Sequence, residues 1–547
     1  LGMEAPGYNI FALGETGTGR MTTVRQLVER RAATRPAPAD WAYVHNFAEA
    51  HKPRALAFPA GTARQFAADM ERLNAGVKAA GSAESATALV AVLMDNLKAG
   101  YAGQPQVSAY LGEAREDLLR NLAQFRAPGG EAARRRYTVN VIVDHANTTG
   151  APVAVESLPT SERLAGWVEG AALGGAADFT HIRGGALHQA NGGYLVLRAR
   201  DLWDYDEVWD TLKQALLDGL IRPEGPATHA PLPVGNTLQP EPIPLSVKVI
   251  LVGPSGLYSH LLWHDDDFET LFKVRADFDT RMERTPESER EYAQFVAALG
   301  AQERLRPFDR GAAAKMVETG SRMAASQRKL SARFGDLANL TREANYWAGQ
   351  AGRESVSAED VGQAWRESVY RANLPEERER EKFEDGSVSI DTHGEAVGQV
   401  NGLTTSRVAG YLYGQPSRVA ARAYAGGSGI TQIDREVNLA GPIHNKGVLT
   451  LIGYLGGQYS SKESFSFSAQ LTFEQNYTDV DGDSASCAEL YVILSSLANA
   501  PLNNLPAFTL DQLNRLRLPA SRLAQSTNVF FVDEDFRLPR SVQFRGA

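Results

Sequence analysis

The stretch Gly14-Glu15-Thr16-Gly17-Thr18-Gly19-Arg20-Met21 constrains the fold of this 547-residue chain more than any other. A strand-like apolar run at residues 8–13 precedes it, and a helix-like run follows. A strand that turns through glycines straight into a helix is the opening unit of a parallel α/β sheet, because parallel strands need a helical crossover. Strand-like runs recur at residues 42–44, 137–143, 193–197 and 247–252, alternating with helical stretches. Together they predict an α/β domain over residues 1–300. Residues 60–136 read as a helical insertion rich in Ala, Glu and Arg, with apolar spacing of three and four. Such an insertion is either a substrate-gripping element or a packed helical pair.

The glycine spacing matches the phosphate-binding pattern G-x-x-x-x-G-K-[ST], in which the lysine reaches phosphate and the hydroxyl holds magnesium. Here Arg20 stands at the lysine position and Met21 at the hydroxyl position. A guanidinium differs in reach from an ammonium, and a thioether is no ligand for a hard cation. A second stretch, Leu187-His188-Gln189-Ala190-Asn191-Gly192-Gly193-Tyr194-Leu195-Val196-Leu197-Arg198-Ala199, resembles the Walker B strand of AAA+ ATPases. That strand should end in two acidic residues, one for magnesium and one for water. Arg198 and Ala199 occupy those places. Two damaged sites predict no productive ATP hydrolysis, with weak nucleotide binding to the loop amides as the most that remains. Asp144 reads as an ordinary strand-end carboxylate rather than a substitute acid.

Residues 223–244 are rich in proline and read as an extended loop. Residues 301–375 read as a small helical subdomain. Residues 376–386, dominated by Glu, Arg and Lys, read as a charged, solvated linker. From Gly386 the composition turns toward Val, Ile, Thr, Ser, Gly and Tyr. Runs at 418–424 and 465–473 read as strands. The run at 448–454 reads equally as a strand or a buried helix, since a short apolar run fits both. An α+β domain over 387–502 follows, and 503–547 is left as a tail.

A hydrophobic fraction of 43% and a charged fraction of 22% suit a folded multidomain protein. The net charge of -9 argues against a nucleic-acid partner, whose phosphates need a basic surface. No apolar run has bilayer length and none reads as a secretory leader, so no membrane role is expected. Cys487 is the one cysteine, which rules out an intrachain disulfide and fits a reducing cytoplasm. His264-Asp265-Asp266-Asp267 reads as a hydrated loop rather than a metal site, because consecutive side chains diverge. Arg134-Arg135-Arg136 reads as solvated or interdomain. Neither a metal nor a cofactor is expected.

Near the C-terminus, Asp479-Val480-Asp481-Gly482-Asp483-Ser484-Ala485 presents a serine on an acidic, glycine-containing turn. The Ala- and Leu-rich run Ser486-Cys487-Ala488-Glu489-Leu490 follows at once. A turn exposes a hydroxyl, and unpaired N–H groups at a helix start hold an oxyanion, so this is how a hydrolase presents a nucleophile. The segment resembles the active-site stretch of Lon-family serine proteases, whose serine follows an Asp-Gly-x turn. By that match Ser484 is the nucleophile. Further stretches are similar to the LonB-like branch: Gly7-Tyr8-Asn9-Ile10-Phe11, Phe272-Lys273-Val274-Arg275-Ala276-Asp277-Phe278-Asp279, Gly398-Gln399-Val400-Asn401-Gly402-Leu403 and Gly441-Pro442-Ile443-His444-Asn445-Lys446-Gly447-Val448-Leu449. With its eroded nucleotide motifs, the chain resembles Lon-like proteases of the ATP-independent LonC type. The resemblance implies an α/β and α+β multidomain protein. Its parts are an AAA+-like α/β domain with a helical insertion, a helical small subdomain and a Lon-type α+β protease domain. It also implies a Ser/Lys dyad, a cytoplasmic homo-hexameric ring enclosing the active sites, and unfolded or loosely folded polypeptides as substrates.

After Ser484 the sequence holds no lysine and no histidine. The family's base is a lysine downstream of the serine, and a serine hydroxyl without a base is a weak nucleophile. Lys446, Lys462 and His444 precede Ser484 as stand-ins, with Lys446 read as structural or substrate-facing. The tail reads as a displaced lead-in that belongs beside residue 1, not as the rest of a protease domain. Asp481 and Asp483 either orient the lysine or shape the turn. Ser486 and Cys487 point away on the helix, Cys487 as a small buried residue. The expectation is peptide hydrolysis by acyl-enzyme chemistry at Ser484. The alternative is a catalytically impaired AAA+/Lon relic that binds polypeptide or builds rings.

Overall fold

In the computed structural model, residues 1–3, 5–169, 178–223, 238–391, 393–408, 411–459, 467–477 and 479–503 are described. They form two bodies. One is Leu1–Glu283 with Ser331–Leu337, and the other is Arg284–Leu330 with the chain from Ala338 onward.

The first body is built on a five-stranded parallel sheet. The strands lie in the order Val274–Phe278, Ile10–Gly14, Lys248–Gly253, Tyr194–Arg198, Val153–Glu156. The central strands are continuous apolar runs because both faces are covered. Alternate side chains feed two cores. Phe11, Leu13, Leu195, Leu197, Val249 and Leu251 pack on one face with Trp209 and Leu212 of the Asp206–Asp218 helix. Ala12, Tyr194, Val196, Ile250 and Val252 pack on the other with Val24 and Val28 of the Arg20–Ala32 helix. The sheet brings the Gly14–Gly19 loop and the end of Tyr194–Arg198 to its carboxyl edge, where ligands of such sheets bind.

The runs at 42–44 and 137–143 belong to a different sheet. Asp40–Val44 lies between Arg54–Phe58 and Val139–Val143 in a three-stranded antiparallel sheet. The helices Ala63–Ala79, Ala83–Gly100 and Pro105–Arg120 share a core with it, in which Phe58, Phe66, Met70, Tyr110 and Tyr137 are buried. The fully buried Asp40 ties the layers together. Its carboxylate accepts the N–H of Ala63 at 3.1 Å and that of His145 at 2.8 Å. The helices of residues 60–136 thus form one layer of a subdomain with its own sheet.

The second body begins with helices Pro286–Glu303, Arg310–Met323 and Ala358–Tyr370, whose first turns are capped by the side-chain oxygens of Thr285, Asp309 and Ser357. Most of the charged run at 376–386 is helical. Leu374–Glu384 is a helix with no buried residue. It carries Lys382–Glu379 and Arg380–Glu384 ion pairs at helical spacing, at 2.7 and 3.4 Å. A four-stranded sheet follows in the order Gln399–Val408, Tyr411–Ala425, Phe467–Glu474, Gly429–Gln432, antiparallel except for the last pair. The Ser486–Ala498 helix lies on it, with Val492 and Ile493 against Val419, Ala421, Leu471 and Phe473. Residues 448–454 lie in the Pro442–Tyr459 helix, the second of the two alternatives, and its Leu451 and Leu455 join this core. The tail from residue 504, residues 224–237 of the proline-rich run, and Lys462 lie outside the described residues. No described helix is long and apolar enough to cross a membrane.

Candidate active site

The Ser484 turn hangs from the start of the Pro442–Tyr459 helix. A helix start leaves unpaired N–H groups, and here a distant carboxylate meets them. Asp481 Oδ1 accepts the N–H of Ile443 at 2.9 Å, of His444 at 3.0 Å and of its neighbour Gly482 at 2.9 Å. Those N–H donors hold the Asp481 carboxyl below the usual carboxylate range. Asp481 is therefore a helix cap supplied from the turn, a role its sequence position did not suggest. Gly441 N–H donates to the Val480 carbonyl and Val480 N–H to the Leu439 carbonyl, each at 2.8 Å. The chain then passes through Gly482 at φ +107°, a conformation L side chains rarely adopt.

Beyond that glycine the chain presents Ser484, half-buried, just before the Ser486–Ala498 helix. Among the described residues nothing bonds its hydroxyl, and the N–H groups of Ser484 and Ala485 have no acceptor. Ser486 N–H donates back to the Asp483 carbonyl at 3.1 Å, closing the turn. Among the described residues the arrangement sets an unbonded hydroxyl beside unbonded amide donors, the two components that acyl transfer needs in one place.

The other residues singled out from sequence fall differently. Ser486 Oγ is buried without a hydrogen-bond partner, and it faces Gly447 of the neighbouring helix. Cys487 is exposed rather than buried, because it lies on a face of its helix that the sheet does not cover. Asp483 is exposed on the turn. Lys446 is exposed on the Pro442–Tyr459 helix. His444 is fully buried with both ring nitrogens engaged. Nδ1 lies 3.2 Å from the Gly482 carbonyl oxygen, and Nε2 lies 2.9 Å from Gln432 Nε2 and 3.3 Å from Glu489 Oε1. It supports the turn from below and offers no nitrogen to Ser484. Glu489, also fully buried, escaped the sequence reading, and only its place on the Ser484 helix hinted at it.

The loop at residues 14–21 is closed by its own chain. Arg20 donates to the Gly253 carbonyl instead of reaching outward. Glu15 pairs with Arg333, and Gly335 N–H donates to the Gly17 carbonyl at 2.9 Å. Met21 packs into the apolar layer beneath. At the end of the Tyr194–Arg198 strand, Arg198 is held by Asp201 at 2.7 Å and Ala199 is buried. Asp144 belongs to the inserted subdomain, where it pairs with Arg64 at 2.7 Å. No acidic residue stands at either magnesium position.

Three families match along the chain. They are described as "Lon-like LonC helical domain" at residues 40–73, "LonB-like, AAA domain" at residues 149–279 and "Archaeal LonB, AAA+ ATPase LID domain" at residues 307–371. A protein named as a Lon protease homologue of Escherichia coli (strain K12) is 29% identical over 446 residues, covering 78% of this chain and 72% of that protein. A second, from Haemophilus influenzae, is 28% identical and covers 58% of this chain and 52% of that one. The archaeal Lon protease of Pyrococcus abyssi is 25% identical over 61% of this chain, which spans 33% of its length. A solved structure of NtrX from Brucella abortus is 17% identical over 43% of this chain and 52% of that one, at a TM-score of 0.27, too low to bear on the fold. The ordered matches along the sheet, its inserted helical layer and the capped helices make the chain similar to Lon-like proteases of the LonB/LonC type.

Proposed function

We propose that the chain is an ATP-independent serine protease that hydrolyses peptide bonds of unfolded or loosely folded polypeptides, with Ser484 as nucleophile. The observation that carries this reading is the Ser484 turn, where among the described residues nothing bonds the hydroxyl and the N–H groups of Ser484 and Ala485 meet no acceptor. The hydroxyl oxygen adds to the scissile carbonyl while its proton passes to a base. The amide donors take the charge that forms on the carbonyl oxygen. The intermediate collapses to an ester, the amine leaves with a proton, and water cleaves the ester. ATP independence is supported by Arg20 and Met21 in the glycine loop and by Arg198 and Ala199 at the strand end, where a lysine, a hydroxyl and two acids would be needed. A homo-hexameric ring in the cytoplasm, without nucleic-acid or membrane partners, belongs to the same reading.

The base is a lysine by family resemblance, and no lysine follows Ser484 in this sequence. The erosion of both nucleotide motifs, at Arg20 and Met21 and at Arg198 and Ala199, favours a second reading, a catalytically silent relic that binds polypeptide or assembles rings. Casein degradation in the absence of nucleotide separates the two. The protease reading expects cleavage by the wild type and none by Ser484→Ala. Equal cleavage by both proteins removes Ser484 from the chemistry, and none by either favours the silent assembly.

A further inference from the structure

Beneath the Ser484 turn lies a closed polar cluster that the proposed reaction does not use. Gln432, Asp434, His444 and Glu489 are each 3% exposed or less. The Gln432 amide is oriented by the chain. Its Oε1 accepts the N–H of Arg435 at 3.0 Å, so its Nε2 faces Asp434 Oδ2 at 3.2 Å and His444 Nε2 at 2.9 Å. An amide nitrogen only donates, so His444 Nε2 is an acceptor. The single proton of a neutral imidazole then sits on Nδ1, facing the buried carbonyl of Gly482 at 3.2 Å. Glu489 Oε1 lies 3.3 Å from that same acceptor nitrogen. Among the described residues neither Glu489 oxygen has a hydrogen-bond partner, so no donor there holds its ionised form.

We propose that His444 and Glu489 together retain one proton beyond those of a neutral imidazole and a carboxylate, and that this proton locks the Ser484 turn. With it, Glu489 is a neutral acid and the Nδ1–H of His444 is left for Gly482. When it is lost to solvent, the one imidazole proton is wanted in two places. The Glu489 carboxylate draws it to Nε2, and the Gly482 carbonyl, two residues before Ser484, loses its donor. The titratable groups facing the pair are Asp434 from the Ile433–Glu436 helix and Asp481 from the turn. Their negative charges both favour keeping the proton. Burial, with the charge of Asp434, pushes the Glu489 carboxyl up to about 8, and burial pulls His444 below its usual value. His444 and Glu489 are thus positioning residues, and only this catalytic consequence rests on Ser484 being the nucleophile.

The pair is tested first without turnover. Because the folded value of Glu489 lies above its unfolded value, its contribution to stability is full at low pH and is lost as pH rises toward the folded value. Glu489→Gln keeps the shape and cannot ionise. Its melting temperature relative to wild type should climb from about pH 5 to about pH 8 and then level off. A flat difference overturns the proposal. Glu489→Leu gives the same comparison should the first variant not fold. The second measurement is covalent labelling of the full chain by a fluorophosphonate probe, mapped to Ser484. The labelling ratio, Glu489→Gln over wild type, should rise severalfold between about pH 6 and about pH 9. A constant ratio breaks the link between the pair and the turn. If wild type takes no label at Ser484 at any pH, the nucleophile reading fails while the melting curves still decide the pair.

Discussion

Gly447 sets how closely the helix that carries His444 approaches the start of the Ser486–Ala498 helix. A Cβ added at Gly447 would lie 2.7 Å from Ser486 Oγ and 3.2 Å from the Cβ of Asp483. Gly447→Ala should therefore cost about 1–3 kcal/mol by overpacking. Ser486 already carries a buried hydroxyl without a partner, so Ser486→Ala removes the obstacle and an unsatisfied group together. The double variant should recover part of the loss, giving a non-additive cycle in urea unfolding. Additive effects would show that the approach is set elsewhere. The turn that carries Ser484 and the helix after it were legible because an Asp-Gly turn followed by a helix is a local pattern. Cys487 was misread because exposure depends on which helix face the sheet covers, and no short segment states that. The engagement of His444 by Glu489 joins residues 45 positions apart and was not legible at all.

At the scale of elements, the sequence signal followed burial. Tyr194–Arg198 and Lys248–Gly253 are covered on both faces, so they are continuous apolar runs and stand out. Val274–Phe278 is half-buried and carries charges at alternate positions, and Val153–Glu156 has only four residues, so neither stands out. Apolar pattern names a strand but not its partners, so nothing in the runs at 42–44 and 137–143 told that they pair in a sheet of their own. The loop at residues 14–21 was legible because its chemistry is local and its substitutions are specific. What closes it was not, since Arg333 and Gly335 lie more than three hundred residues away. The closure and the strand end make separate obstacles to catalysis. Restoring the loop with Arg20→Lys and Met21→Thr should therefore give no ATP turnover in a phosphate-release assay, because Arg198 and Ala199 still offer no acid. Turnover in that double variant would mean that an acid elsewhere serves the site.

For the whole molecule, the proposed function has a consequence that no single site shows. A protease coupled to ATP hydrolysis can pull a folded substrate open, whereas one without it must wait for the substrate to open by itself. A substrate of ordinary stability is unfolded only about 10⁻³ to 10⁻⁶ of the time. Cleavage through that open state follows its population when reclosing outruns cleavage. The proposed protease should thus digest a permanently unfolded polypeptide at least about a thousandfold faster than the folded form of the same sequence. Mg-ATP should leave that gap unchanged. A reduced and alkylated disulfide protein, compared with its native form by gel at several times with and without nucleotide, provides the measurement. Destabilising the native form by mutation should close the gap in proportion to the added unfolded population. A gap that narrows with ATP while the substrate's own stability stays constant would show that the body built on the parallel sheet still performs nucleotide-driven work.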